Sequence, residues 1–181
     1  DPLHRNLGSM GDTRLVAAVY NFLDIMAHGR SQNRILKELA PDEAAFRALM
    51  RTWFEHSNLF DIFKSLSRRD CTVILTTDHG SMMCRRSMKI RGNRDTSSNV
   101  RYKFGDNLGT DDERILLMKK PEEFRLPSHS SIENYAVTSD NFYLVYPTNF
   151  HEYERLYRDS FQHGGISVEE MICPFLIMRP R

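Results

Sequence analysis

The sequence is poor in cysteine, in net charge and in long apolar runs. Its cysteines, Cys71, Cys84 and Cys173, are an odd number at irregular spacing in 181 residues, which argues against a disulfide framework. Buried, reduced thiols are the better interpretation, and they suit a cytoplasmic location. With 25 Lys and Arg against 24 Asp and Glu, the net charge points to no class of partner. No apolar run of about 18 residues is present, so no membrane span is predicted, and the first residues do not resemble a signal peptide.

Apolar runs that alternate with helical patterns predict a single α/β domain with a mainly parallel central sheet flanked by helices. Residues 14–23 are almost continuously apolar, which is typical of a strand buried on both faces; a buried helix is an alternative for this run. A second buried strand is predicted at 71–77. Residues 86–91 alternate apolar and basic side chains and predict a strand with one face in water. Two more strands are predicted at 141–146 and 174–178.

Helical signals lie between these runs. Apolar residues at three- and four-residue steps predict a helix over 41–66, and the acidic residues at its start favour that end of a helix. Asn149 is placed to cap a helix through about Ser160, and Ser167 with Glu170 fits a capping box. Residues 92–113 are rich in Gly, Asn, Asp and Ser and predict a long loop.

Three short motifs contain side chains that bind metals in proteins: Asp24-x-x-x-His28, Asp78-His79-Gly80 and His163-Gly164-Gly165. The four-residue spacing of the first motif places its Asp and His on one side of a helical turn, where both can reach one ion. The adjacent Asp and His of the second converge only in a turn, which the glycine permits. The two glycines of the third allow the backbone to pass close to a crowded centre. Each motif alone also has a structural explanation, as a solvated helical pair, a turn or a loop; their joint order favours a metal site.

In this order, the motifs resemble the metal-ligand series of the alkaline phosphatase superfamily, whose members use two zinc ions to hydrolyse phosphate esters. Five segments are similar, more closely, to the PglZ domain of PorX-type response regulators, which control type IX secretion. These segments are Asn21–His28, Leu75–Ser81, Arg91–Thr96, Asn99–Lys103 and Phe161–Met171. The resemblance implies an alkaline-phosphatase-like sandwich. It also implies that residues 1–181 are the C-terminal part of a PglZ domain, with the receiver domain and the N-terminal part of the PglZ domain outside this chain.

Carried over residue by residue, the resemblance assigns Asp24, His28 and His163 to one zinc ion. It assigns Asp78 and His79 to a second ion, together with an aspartate and a threonine nucleophile that are expected upstream. Two zinc ions then clamp the attacking and leaving oxygens of an in-line displacement. No catalytic nucleophile is assigned within the chain, because the hydroxyl residues that flank the second motif do not match the family's nucleophile. We therefore expect the chain alone to be inactive.

A basic stretch from Arg85 to Lys103 holds seven Lys and Arg residues against one acid, with Tyr102 and Phe104 interleaved. Basic and aromatic groups together can hold a phosphodiester backbone and stack on its bases, although a solvated strand face and a loop explain the same composition. The resemblance favours phosphodiesters, including cyclic or linear oligonucleotides, over monoesters. The candidate substrate-binding residues are Arg91, Arg94, Arg101 and Lys103.

The first functional interpretation is a zinc-dependent phosphodiesterase domain of a two-component response regulator. The alternative is a catalytically silent regulatory module whose zinc is structural and which binds a sigma factor or a secretion-system component. The resemblance implies further partners, a sensor kinase and the cytoplasmic segment of the secretion motor, and a homodimer of the full protein. Asp and His ligands also suit manganese, so the donor set alone does not decide the metal.

Overall fold

The computed structural model describes residues 13–92 and 99–180, apart from the side chains of Ser31 and Gln32. In the described part of the chain, four helices precede the first strand: α1 (Phe22–Gln32), α2 (Arg34–Leu39), α3 (Glu43–Glu55) and α4 (Asn58–Leu66). The helix predicted over 41–66 is therefore two helices. Ser57 divides them, because its side chain accepts a hydrogen bond from the backbone N–H of Phe60 and starts α4. No helix in the described part of the chain is long and apolar enough to cross a membrane.

The strand predicted at residues 14–23 is wrong. Residues 13–20 have no regular helix or strand, and α1 begins at Phe22. The run is not buried either, since Leu15 and Val19 are each 85% exposed. No other described strand pairs with these residues. Strand propensity expresses packing against neighbouring strands, so an apolar run without a partner does not become a strand.

The described residues after α4 form nine strands. They are β1 (Val73–Thr76), β2 (Met82–Cys84), β3 (Arg86–Lys89), β4 (Tyr102–Asp106), β5 (Leu116–Met118), β6 (Glu133–Val137), β7 (Phe142–Val145), β8 (Ser160–Gln162) and β9 (Phe175–Met178). Three small sheets are antiparallel, namely β1–β9, β2–β8 and β4–β6–β5, while β3 and β7 pair in parallel.

The prediction of a mainly parallel central sheet is therefore not met by the described strands. Parallel neighbours require a long crossover between them, usually a helix. Here the longer helices all precede β1. Among the strands, the described residues form two short helices, α5 (Phe150–Tyr157) and α6 (Val168–Met171), and one 3-10 turn (Pro121–Phe124). The chain is an α/β protein with several small sheets.

The core surrounds β7, whose four residues are all buried. Phe142 and Leu144 belong to one apolar cluster with Met88 and Ile90, which lie in and just after β3. Tyr143 and Val145 point to a second cluster with Cys84 and Val100. The strand predicted at 141–146 is thus confirmed. So is the wet face predicted for 86–91, because the basic residues that alternate with the buried Met88 and Ile90 are exposed.

The strands predicted at 71–77 and 174–178 both form, but the burial predicted for 71–77 is wrong. Ile74 of β1 is 56% exposed, and Phe175 and Ile177 of β9 are 65% and 58% exposed. These three residues share one face of the two-stranded sheet, because Ile74 pairs with Ile177 and residues two apart in a strand point the same way. On the other face, Leu75 and Leu176 are 37% and 47% exposed, and no other described strand extends the sheet. Of the cysteines, Cys84 is buried as predicted, whereas Cys71 and Cys173 are partly exposed; all three are free thiols.

Two local predictions need correction. The segment predicted as a loop over 92–113 contains β4, which pairs with β6; residues 93–98 of that segment lie outside the described residues. Asn149 does precede α5, but its side chain makes no capping hydrogen bond, and its backbone is left-handed with φ 58°. The helix ends at Tyr157 because Ser160 already belongs to β8.

Candidate metal centre

Helix α1 carries the first motif and packs against β2 and β8. Asp24 lies in its first turn, and His28 follows one turn later, so the predicted helical spacing is confirmed. Between them on the inner face, Ala27 packs with Met83 of β2 and Phe161 of β8 in a small apolar cluster. Apolar contact with these two strands therefore fixes the position from which α1 presents its Asp and His.

A buried arginine locks the C-terminal end of α1. Arg30 is 1% exposed, and its guanidinium donates to the carbonyl oxygens of Ala40 at 2.5 Å and Pro41 at 2.6 Å. It also donates to the carbonyl oxygen of Asp159, which directly precedes β8. A cation near a helix C-terminus is electrostatically favourable, and here the same cation joins the helix to the strand.

The antiparallel pairing of β2 with β8 brings the other two motifs together. Met82 at the start of β2 pairs with Gln162 at the end of β8. The turn that contains Asp78 and His79 leads into β2, while His163 directly follows β8. Both motifs therefore lie at the same end of this two-stranded sheet, next to α1.

Asp24, His28 and His163 form the group of metal-ligand side chains found in the described residues, with ligand atoms within 4.8 Å of one another. His163 Nε2 lies 3.0 Å from His28 Nε2. Asp24 Oδ1 lies 3.4 Å from His28 Nε2 and 3.7 Å from His163 Nε2. Two imidazole nitrogens this close must share one proton or one cation, since their lone pairs would otherwise repel each other.

These separations fit a zinc ion. Ligand atoms at the usual Zn–N and Zn–O distances around a tetrahedral zinc lie about 3.3 Å from one another. The three measured separations, from 3.0 to 3.7 Å, lie on either side of that value. Two imidazoles and a carboxylate are also an ordinary zinc donor set, and three protein ligands leave a fourth position open, as in catalytic sites.

His79 lies against this group. Its ring stacks on the ring of His163, with centroids 3.9 Å apart and planes 13° from parallel. Its Nδ1 is 3.0 Å from the carbonyl oxygen of Gly80. Because a carbonyl only accepts, the neutral ring carries its proton on Nδ1 and keeps the lone pair of Nε2 for a ligand. A hydrogen bond of this kind also fixes the orientation of a metal-binding histidine.

Asp78 completes the second pair. Its Oδ2 lies 3.8 Å from His79 Nε2, and 87% of its side chain is exposed. A hydrogen bond from its own backbone N–H, with the nearby His79, lowers the pKa of Asp78. The carboxylate is therefore ionised, the form that binds a metal. The predicted turn that lets Asp78 and His79 converge is present, as the Asp78 to Gly80 segment has no helix or strand.

The protonation state of His163 also suits metal binding. Burial, together with the imidazoles of His79 and His28, lowers the pKa of His163 below its usual range. A neutral imidazole offers a lone pair to a metal, whereas a protonated one does not.

The sequence matches the family described as the BREX system PglZ alkaline phosphatase-like domain over residues 3–178. The chain belongs to the PglZ family. No curated protein matches the chain. Membership of this alkaline phosphatase-like family places the PglZ domain in a hydrolase superfamily, and the Asp/His group lies on the motifs that carry the resemblance.

The interpretation of Arg101 as a substrate-binding residue of this PglZ domain needs correction. Its side chain is 0% exposed and forms an ion pair with Glu170, whose side chain is 1% exposed. Arg101 Nε and Nη2 donate to the two carboxylate oxygens of Glu170 at 2.8 and 2.6 Å. A guanidinium enclosed in this way does not reach a substrate.

The other three residues that were predicted to bind substrate lie in surroundings that differ from one another. Lys103 is only 4% exposed, with its ammonium 4.9 Å from the ring centroid of Tyr146, and burial lowers the pKa of Lys103 to about 8. Arg91 is exposed and pairs with Asp111 at 2.7 Å. Arg94 lies outside the described residues. The basic stretch is thus not one continuous basic surface.

The alternation in β4 explains why the sequence misled here. Arg101 and Lys103 point into the protein, so Tyr102 and Phe104 point outward, and Phe104 is 37% exposed. Composition favours the opposite, aromatic side chains inward and basic ones outward.

Sequence reasoning also missed Arg30 and the pairing of Arg101 with Glu170. Glu170 carried a signal as the predicted capping box, which forms, with Glu170 accepting the backbone N–H of Ser167 at 3.1 Å.

Proposed function

We propose that this PglZ domain is a zinc-dependent phosphodiesterase whose first zinc site consists of Asp24, His28 and His163. One observation carries the proposal: α1, the turn before β2 and the loop after β8 are distant in sequence, yet they direct their Asp and His side chains to one place. Three imidazoles from segments this far apart in sequence therefore lie together, which is the arrangement that a shared metal ion requires.

Asp78 and His79 are proposed to hold a second zinc ion, with the aspartate and threonine that the family resemblance places upstream of this chain. When bound, the zinc ions supply charge for the phosphoryl oxygens and lower the pKa of the attacking hydroxyl. The residues of this chain provide the geometry: Gly80 orients His79 through its carbonyl oxygen, and the stacked ring of His163 limits the movement of His79.

A phosphodiester substrate is supported by the aromatic face of β4 and β6. Tyr102 packs on Gly164, beside His163, since a Cβ on Gly164 would lie 2.8 Å from the Tyr102 ring. The rings of Tyr102, Phe104 and Tyr135 follow one another in parallel orientation, with successive centroids 6.4 and 5.5 Å apart. Such rings can stack on nucleobases, so we extend the proposal to oligonucleotides.

Metal content is the first test. The 181-residue protein is expected to bind one equivalent of zinc, measured by elemental analysis after gel filtration, and His163→Ala is expected to lose it. His151→Ala is the matched control, because the His151 side chain is 95% exposed and outside the group. Absence of zinc from the wild type, or its retention in His163→Ala, would refute the proposed site.

Hydrolysis of bis-p-nitrophenyl phosphate by the full-length protein is the second test. Asp78→Ala is expected to abolish turnover while the protein remains folded by circular dichroism. Asp61→Ala, an exposed aspartate on α4, should hydrolyse the diester at the wild-type rate. An Asp78→Ala protein with wild-type rates would show that the second pair takes no part in catalysis.

The finer assignment, a cytoplasmic response regulator of type IX secretion, is proposed on the five resembling segments alone.

The alternative is a silent module that binds a sigma factor or secretion component, and one observation favours it. The side chains of Ile74 in β1 and of Phe175 and Ile177 in β9 are each more than half exposed, and apolar patches of this kind mark interaction surfaces. Ligand variants that lose hydrolysis but keep regulation in the cell would favour the alternative. Loss of both together would favour the enzyme.

A further inference from the structure

The buried pair of Arg101 and Glu170 lies directly behind the two histidine loops of the metal centre. Arg101 uses its whole guanidinium there: Nη1 donates to the carbonyl oxygen of Phe142, and Nη2 donates to Ser167 Oγ at 2.8 Å as well as to Glu170. Among the described residues, no buried side-chain nitrogen or oxygen lacks a hydrogen-bond partner. The buried nitrogens and oxygens of the two side chains thus all have hydrogen-bond partners within the protein.

Glu170 holds the loop that follows His163. Its Oε1 accepts the backbone N–H of Gly165 at 2.9 Å, and its Oε2 accepts the backbone N–H of Ser167 at 3.1 Å. The space at Gly165 is closed, since a Cβ there would lie 2.6 Å from both Arg101 Nη2 and Glu170 Oε2. The loop therefore rests on the ion pair with no side chain between them.

The same residue holds the turn that carries His79. The backbone N–H of Gly80 donates to the backbone carbonyl oxygen of Glu170 at 3.0 Å. This approach is so close that a Cβ on Gly80 would lie 1.9 Å from the carbonyl oxygen of Glu169. One residue thus anchors both loops, through its side chain on one and through its backbone on the other.

The segment before Arg101 adds a third contact. Asn99 Nδ2 donates to the backbone carbonyl oxygen of His163 at 3.3 Å, and Asn99 Oδ1 accepts the backbone N–H of Arg101 at 2.7 Å. Arg101 is therefore joined to the His163 loop in two ways. Its backbone is joined to the carbonyl of His163 through Asn99, and its side chain is joined to the backbone of Gly165 through Glu170.

We propose that Glu170 and Arg101 are positioning residues that hold the His163 loop and the His79 turn in the geometry that binds metal. A buried ion pair seldom adds net stability, because desolvation offsets the attraction, but it can specify one geometry. For its consequence in metal binding the inference rests on the proposed function. The stacking of His79 on His163 is the direct readout of the geometry, and it needs no metal.

Glu170→Gln is the sharpest variant, because it keeps the shape of the side chain and changes one acceptor oxygen into an amide donor. That donor then faces a backbone N–H and the guanidinium, which also donate. In the metal-free protein, the wild type is expected to show nuclear Overhauser contacts between the rings of His79 and His163, and Glu170→Gln is expected to lose them. Co²⁺, titrated alone and followed by its visible absorption, is expected to bind Glu170→Gln at least about 10-fold more weakly.

Gly165→Ala disturbs the same ion pair by adding a methyl group to the loop, and it keeps both charges. It therefore tests the inference if Glu170→Gln does not fold. Leu108→Ala is the matched control: Leu108 is 3% exposed in the cluster with Met88 and Leu144, away from both loops. It is expected to lower the melting temperature but to keep the ring contacts and the Co²⁺ affinity.

A folded Glu170→Gln protein that keeps both the ring contacts and the Co²⁺ affinity would overturn the inference, as would a folded Gly165→Ala protein that keeps both if Glu170→Gln does not fold. Equal losses in Leu108→Ala would overturn it too, because the effect would then follow from general stability. A wild type that shows the ring contacts but binds no Co²⁺ would refute the proposed function, and the contacts in Glu170→Gln would still decide the positioning role.

Discussion

The two sides of the candidate metal centre present similar ligands on different supports. The helix side, Asp24 and His28, is held by apolar packing of one face of α1 and by Arg30 at its end. The loop side, His79 and His163, is held by hydrogen bonds that converge on a buried ion pair. Apolar packing is non-directional and tolerates small shifts, whereas hydrogen bonds in a closed space do not. We therefore expect the loop side to be far more sensitive to single-atom changes.

Gly80→Ala should have the largest effect, because it adds one carbon where a backbone carbonyl already lies 1.9 Å away. The turn must move, and we expect a loss of about 2 kcal/mol or more in the free energy of unfolding together with loss of zinc. Urea denaturation and elemental analysis measure the two effects. Gly109→Ala is the matched control, since nothing lies within 4 Å of its added Cβ. Equal stabilities for the two variants would contradict the close packing of the loop side.

Arg30→Met removes from the helix side the buried guanidinium that joins α1 to the residue before β8. Three backbone carbonyl oxygens lose their donor, and we expect a loss of about 2 kcal/mol in the free energy of unfolding. Zinc binding should weaken, because the ring of His28 is carried on the same helix. Arg34→Met, at a side chain that is 91% exposed, is the control. If zinc affinity is unchanged in a destabilised Arg30→Met protein, apolar packing alone positions α1.

Acid should weaken the loop side through Glu170. Burial by itself would raise the pKa of Glu170, but hydrogen bonds from Arg101 and the charge of its guanidinium outweigh burial and hold the pKa below its usual range. A carboxylate with a depressed folded-state pKa stabilises the fold above its unfolded pKa of about 4.3 and loses that contribution as pH falls through the folded value.

Thermal unfolding between pH 3 and 7 measures this contribution. The difference in stability between wild type and Glu170→Gln should be constant near pH 7 and shrink below about pH 4. Glu38→Gln, at a side chain that is 65% exposed, should show no such trend. A difference between wild type and Glu170→Gln that stays constant to the lowest pH would mean that Glu170 is not the group responsible.

Ile25→Ser should have the smallest effect. Ile25 lies on the outer face of α1 and is 64% exposed, so we expect a change within about 0.5 kcal/mol in the free energy of unfolding. Ile62→Ser, at a residue that is 2% exposed on α4, should cost several times more. A loss above about 1 kcal/mol in Ile25→Ser would show that another surface covers the outer face of α1.

Prediction from sequence succeeded where neighbours along the chain decide the structure. The four-residue spacing of Asp24 and His28, the turn at Gly80 and the cap formed by Ser167 and Glu170 depend on a few consecutive residues. It failed where burial depends on a distant partner. Residues 14–20 and β7 are both mostly apolar, yet of the two only β7 has a paired strand and an apolar cluster on each face to cover it.

The sequence by itself determined which side chains are available for a metal and how each motif is shaped locally, because short-range hydrogen bonds and backbone sterics need no distant partner. Only the tertiary structure decided that the three motifs meet, which face of β4 points inward, and that Arg101 serves Glu170 instead of a substrate. Those outcomes depend on contacts between residues far apart along the chain, such as Arg101 with Glu170 and His28 with His163. Local patterns carry no record of such contacts.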